Sequence, residues 1–241
     1  WIYCVDCTHL YTKCVKNTHL VWNDCLFKCF SYMKMRLFIA CFMLWLNSSA
    51  QLLSWSPSFI QETSNTIEIT ADATKGNQGL KDYTPITDVY VHIGCITTSS
   101  TSSSDWKYSK FTWASTNVAA NAPQISANKW KYTITGGLRN FFGITNSTEK
   151  IVKIAILFRS GSGNNVLRNT DGSDMYIPVY ETGLNVRIDN PFKQPTYNPQ
   201  PEFVNWTIGN TVSIISYASE ASTMKLYSNG TQISTATTVT Q

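Results

Sequence analysis

From Gln51 onward the chain repeats with a period of two, and sustained helical spacing is almost absent. Successive side chains of a strand point to opposite faces, so short alternating runs bounded by Gly, Asn, Asp, Ser and Pro restrict this part of the chain to an all-β fold. The runs fall at 66–71, 88–96, 106–113, 129–135, 151–159 and 175–180, and Arg139 to Ile144 is read as one short helical turn before the strand at Ile151. Six strands over about 130 residues fit an immunoglobulin-like β-sandwich. A stretch from Asn190 to Pro201 then holds four of the eight prolines, which marks a stiff spacer or an edge segment. Further strands are expected at 184–188 and 211–218, followed by a hairpin over 224–234 that turns at Asn229-Gly230. Some sixty residues with four strands are too few for a second immunoglobulin-like domain of about 100 residues. The expected organisation is therefore a β-sandwich over 51–181 and an incomplete immunoglobulin-like domain over 182–241.

The first 50 residues have a different character. Six of the seven cysteines lie there, and the first methionine is Met33. From Met33 the chain has the layout of an export signal: Lys34 and Arg36, an apolar run from Leu37 to Leu46, and small residues at Ser48 and Ala50. The apolar run is well short of the ~20 residues that cross a bilayer as a helix. The reading is a signal peptide over 33–50, export to the cell surface or beyond, and no transmembrane segment. Residues 1–32 read as upstream sequence translated in frame, with no fold. Their Cys4, Cys7, His9, Cys14, His19, Cys25 and Cys29 supply ligand types for zinc, but the spacings match no paired-knuckle pattern.

After the signal, 14 lysines and arginines face 13 aspartates and glutamates, so no basic stripe is left to attract a phosphate backbone. Nucleic acid is thereby excluded as the expected partner. Cys95 is the one cysteine of this part and reads as a small buried residue.

Candidate binding residues come from alternation. In Val89-Tyr90-Val91-His92-Ile93, the valines and Ile93 face a core, while Tyr90 and His92 face the other way, toward solvent unless a loop or a second sheet covers them. Trp106 and Tyr108 share one face of the expected 106–113 strand, beside a Ser/Thr loop, and Trp113 follows. By the same test Trp130, Tyr132 and Ile134 face the core, because Lys129, Lys131 and Thr133 alternate with them. Flat rings on a rigid sheet with few charges nearby suit a neutral amphipathic ring such as a sugar.

The segment 169–174, Asn-Thr-Asp-Gly-Ser-Asp, admits two readings: part of a calcium loop using Asn169, Asp171 and Asp174, or a plain Asp-Gly turn. The terminal bidentate Glu of a full calcium loop is missing, and no cofactor is expected. Catalysis finds little support, since His92 is the one histidine after the leader and no Gly-x-Ser-x-Gly elbow occurs.

Taken in order, Asp88-Val-Tyr-Val-His-Ile-Gly94, Asp105-Trp-Lys-Tyr108, Trp113, Asn128-Lys-Trp130, Arg139-Asn-Phe-Phe-Gly143, the run from Glu149 to Arg159, and Asp171-Gly-Ser-Asp174 resemble the N-terminal β-sandwich of secreted bacterial α-amylase-type glycoside hydrolases. That domain is similar to starch-binding carbohydrate-binding modules. The resemblance implies a non-catalytic module for starch or maltooligosaccharides, attached to a downstream catalytic domain of the same polypeptide. It implies a stacking platform of Tyr90, His92 and Trp106, with Trp113 as an alternative. It also implies a polar loop at Phe158 to Val166 that keeps Asn164 and Asn165 but has Val166 where the family places an aromatic. A spacer sandwich without a ligand and a surface glycan-binding protein without an enzyme are the alternatives.

Overall fold

The computed structural model describes residues 51–198 and 213–237, together with residues 207, 209 and 211. Residues 1–32 and the expected export signal at 33–50 lie outside the described residues, as do Pro199 and Pro201. Strands β1 (Leu53–Ser56), β2 (Thr66–Asp72), β5 (Lys129–Thr135) and β4 (Gln124–Ser126) form one antiparallel sheet in the order β1-β2-β5-β4. Strands β3 (Val89–Thr97), β6 (Ile151–Ser160) and β7 (Val166–Leu167) form the second, and β8 (Met175–Pro178) also pairs with β6. The described part of the chain is the expected all-β fold, with these two sheets as its sandwich.

Alternation explains which face each strand turns inward. Ile67, Ile69 and Ala71 of β2 lie opposite Ile134, Tyr132 and Trp130 of β5, all buried. The second sheet answers with Val89, Val91, Ile93 and Cys95 of β3, Ile154, Ile156 and Phe158 of β6, and Met175 and Ile177 of β8. Trp130 is fully enclosed, and its indole N–H donates to the Ile86 carbonyl at 3.1 Å, so its polar end is satisfied. Cys95 is a buried packing residue, and burial pushes its thiol pKa up to about 12.

A helical turn, α1 (Leu138–Phe142), closes one end of the sandwich and stops at Gly143 in the left-handed conformation. Arg139 of this turn pairs with Glu62 at 3.1 Å. Among the described residues no helix is long and apolar enough to cross a membrane. Beyond Tyr180, β9 (Val186–Asn190) pairs with β10 (Ile215–Ala218), and β11 (Thr223–Ser228) with β12 (Thr231–Thr237) around Asn229-Gly230. Arg187 of β9 reaches back to the first sheet, donating to the Ser58 carbonyl at 3.1 Å and lying 5.5 Å over the Trp55 ring.

The 106–113 segment departs from expectation. It is an irregular run that pairs with the open edge of β3 at a few points: Lys107 and Cys95 exchange two backbone hydrogen bonds, and Lys110 N–H donates to Ile93. Tyr108 adopts φ +52°, which breaks strand alternation at that residue. The close approach depends on Gly94, where an added Cβ would stand 3.1 Å from both the Lys107 carbonyl and Ser109 Oγ.

Candidate functional site

The second sheet has a third layer on its outer face. Tyr90 and His92 of β3 point there, opposite Arg159 and Leu157 of β6. Residues on this face that a two-layer sandwich would leave to solvent are buried: Ile96, Ala155, Leu157, Arg159 and Tyr176. The cover comes from the loop that links β3 to β4 and from the chain around Tyr197, whose ring lies 6.1 Å from that of Tyr176.

Four of the expected residues come together in this layer. The Trp106 ring stacks on His92 with centroids 5.5 Å apart and planes at 20°, while Trp113 meets His92 edge-on at 5.1 Å. The Arg159 guanidinium lies 5.7 Å from the Tyr90 ring centroid and 5.6 Å from that of Trp113. Trp113 remains 41% exposed, whereas Tyr90, His92 and Trp106 are half-buried. Trp106 also packs on Ile96, Ala155 and Tyr176, and its indole N–H donates to the Ser103 carbonyl at 3.0 Å, a carbonyl that also accepts from the Tyr176 hydroxyl. Trp106 therefore braces the cluster, and Trp113 is its open ring.

Asn164 and Asn165 stand on the turn between β6 and β7, beside that ring. Gly163 of the same turn lies so close to Trp113 that an added Cβ would sit 2.7 Å from its indole nitrogen. The turn is fixed by Ser160 N–H donating to the Asn165 carbonyl at 2.9 Å and by Asn165 N–H donating to Ser160 Oγ at 3.1 Å. Both asparagines are exposed.

Tyr108 belongs to a different group. Its hydroxyl donates to Glu149 Oε2 at 2.6 Å, while Thr97 and Ser99 hydroxyls donate to Glu149 Oε1, each at 2.6 Å. These hydroxyls, Ser99 first, lower the Glu149 pKa to about 2. The hydrogen bond to that carboxylate raises the pKa of Tyr108 in turn.

Electrostatics within the cluster centre on His92 and Arg159. His92 Nδ1 is buried with no hydrogen-bond partner, and burial, followed by the nearby Arg159 charge, lowers its pKa. Arg159 is wholly enclosed, and burial lowers its pKa as well. Sequence reasoning did not single out Arg159 as a site residue. The available signal was the unbroken apolar run before it, since Ile154 to Phe158 reads as a strand buried on both faces.

The 169–174 segment is a turn with internal partners. Gly172 N–H donates to the Asn169 carbonyl at 2.9 Å, and Asp171 Oδ1 accepts from Ser173 N–H at 2.9 Å. Asp174 is paired with Arg168, and the Asn169 amide donates to the Asp174 carbonyl at 2.8 Å. These contacts are those of an Asp-Gly turn, and among the described residues no group of three or more metal-ligating side chains gathers.

No protein-family model matches the chain and no curated protein matches it, so the function of this cluster rests on its own chemistry and on the motifs that carry the resemblance described above.

Proposed function

We propose that the chain is an exported, non-catalytic carbohydrate-binding module that holds starch or another α-glucan for a glycoside hydrolase of the same polypeptide. One observation carries the reading: an open Trp113 ring, braced from below by His92 and Arg159, beside the exposed carboxamides of Asn164 and Asn165. A pyranose offers an apolar C–H face flanked by hydroxyls, and ring plus carboxamide is the matching pair of surfaces. Trp113 is the stacking ring, Tyr90 lines the same cluster, and Trp106 supports it.

The expected affinity is low. Each stacked ring contributes on the order of 1 kcal/mol, by analogy with other aromatic contacts. Association itself costs about 4–15 kcal/mol. A polymeric ligand compensates for weak single contacts through avidity. The test is retention on insoluble starch. The unmodified chain is expected to be retained, Trp113→Ala to be lost and Trp130→Phe to behave as the unmodified chain. Absence of retention at high protein load refutes the reading.

A second reading, a spacer without a ligand, is favoured by the way the rings satisfy one another: Trp106 covers one face of His92, and Arg159 lies against both Tyr90 and Trp113. The two readings differ in tryptophan fluorescence. A maltooligosaccharide shifts the emission under the first and leaves it unchanged under the second.

A further inference from the structure

Arg159 is fully buried and forms no ion pair among the described residues. A charge in that position is unfavourable, and an apolar side chain of similar volume ordinarily fills such a site better. What an apolar side chain lacks is a planar fork of five N–H donors with two stacking faces. Arg159 uses both. Its Nη1 donates to the carbonyls of Ser160 at 2.8 Å and Gly161 at 3.2 Å, which open the turn bearing Asn164 and Asn165. Its Nη2 donates to the Ser115 carbonyl at 2.6 Å, two residues past Trp113. The guanidinium meanwhile packs against the Tyr90 and Trp113 rings. Ala114, between Trp113 and Ser115, holds φ +58°, a conformation that the loop would not keep without an anchor.

We infer that Arg159 is the positioning residue of the platform: it ties the loop carrying Trp113 to the turn carrying Asn164 and Asn165, and so sets the spacing between the stacking ring and the hydroxyl-binding carboxamides. What binds there rests on the carbohydrate reading, whereas the tie itself does not.

The experiment separates the two. The full chain is labelled with 5-fluorotryptophan, the Trp113 fluorine line is assigned with Trp113→Phe, and Arg159→Met and Arg159→Lys are compared with the unmodified protein. Both variants are expected to melt cooperatively, to move the Trp113 line to a solvent-exposed shift and to leave the Trp130 line in place. Starch retention is expected to fall at least fivefold in both. A role in filling space predicts that Met leaves the Trp113 line unmoved, and a role in charge alone predicts the same of Lys; either result overturns the inference. If the unmodified chain does not bind starch, the carbohydrate reading fails while the fluorine shifts still decide the tie. Should Arg159→Met fail to fold, the unmodified chain decides by nitrogen-detected NMR: slowly exchanging Arg159 Nη protons with contacts to the Trp113 ring are expected, and exchange at the solvent rate overturns the tie.

Discussion

Replacing Gly163 and Gly172 by alanine, one at a time, separates backbone strain from packing at the platform. Both glycines hold left-handed backbone, at φ +76° and φ +81°. Each alanine therefore costs about 1–2 kcal/mol from its Cβ against the following carbonyl. There the similarity ends. Around Gly172 nothing lies within 4 Å of the new Cβ, whereas at Gly163 it meets the Trp113 indole nitrogen at 2.7 Å and Cε2 at 3.2 Å. The indole must shift by about 0.7 Å to regain ordinary contact distance, and a shift of that size disturbs its contacts with His92 and the Arg159 guanidinium. Those two contacts are worth roughly 0.5–1.5 and 0.5–1 kcal/mol. Gly163→Ala is thus expected to lose about 1–2.5 kcal/mol beyond the control, with a further Tm drop of about 2–4 °C per kcal/mol. Calorimetry gives the difference, and near-UV circular dichroism, sensitive to the Trp113 environment, is expected to change in Gly163→Ala alone. Equal Tm shifts with unchanged near-UV spectra in both variants would refute the placement of Trp113 against this turn.

Trp130→Ala removes the largest fully buried side chain of the core and leaves the Ile86 carbonyl without its indole donor, so it is expected to cost about 3–5 kcal/mol, read as a fall in the urea midpoint. His92 gives a pH dependence of known sign. Its folded pKa lies below the usual 6.5, so as pH falls from 6.5 toward the lowered value the unfolded chain takes the proton first and stability declines; above 6.5 the group has no effect. Arg159 across the sheet opposes protonation and Asp174 favours it, and His92→Phe is expected to flatten the slope of urea midpoint against pH between 7.5 and 5.

The core was legible where alternation was clean. Lys129–Thr135 is a strand over the same residues that its pattern marked, because lysines at every second position leave one register that buries Trp130, Tyr132 and Ile134. Short strands were not legible: β1, β4 and β7 have four, three and two residues, too few to show a period, and they exist because longer neighbours offer them an edge. The 106–113 segment misled for the opposite reason. Its Trp-Lys-Tyr-Ser sequence alternates, yet Tyr108 turns left-handed and gives its hydroxyl to Glu149, 41 residues away, a contact that no local pattern encodes. Tyr90 and His92 do face outward, as alternation demands, but outward here leads into a third layer rather than into water. Of the seven expected binding residues, Tyr90, His92, Trp106 and Trp113 form one cluster with the Asn164-Asn165 turn beside it, and Tyr108 belongs to another group.

The third layer also bears on what the cluster can do. A connection of some twenty residues, from 98 to 117, with almost no secondary structure of its own is unusual in a small sandwich and is costly to order. Here it is held to the second sheet at Cys95, at Ile93, by the stack of Trp106 on His92, and by Ser115 on Arg159. Such multiple attachment matters little if the loop only covers apolar surface, because a shorter aliphatic cover would serve. It matters when a ring must present one face at a fixed place to a ligand whose total binding energy is small, since every degree of freedom frozen on binding then subtracts from a slender margin. Buried Arg159 and unpaired His92 Nδ1 are both unfavourable for the fold alone, and both residues pack against the Trp113 ring. Local conflicts of this kind gather where structure serves a site rather than stability, and in this domain they lie on the outer face of the second sheet.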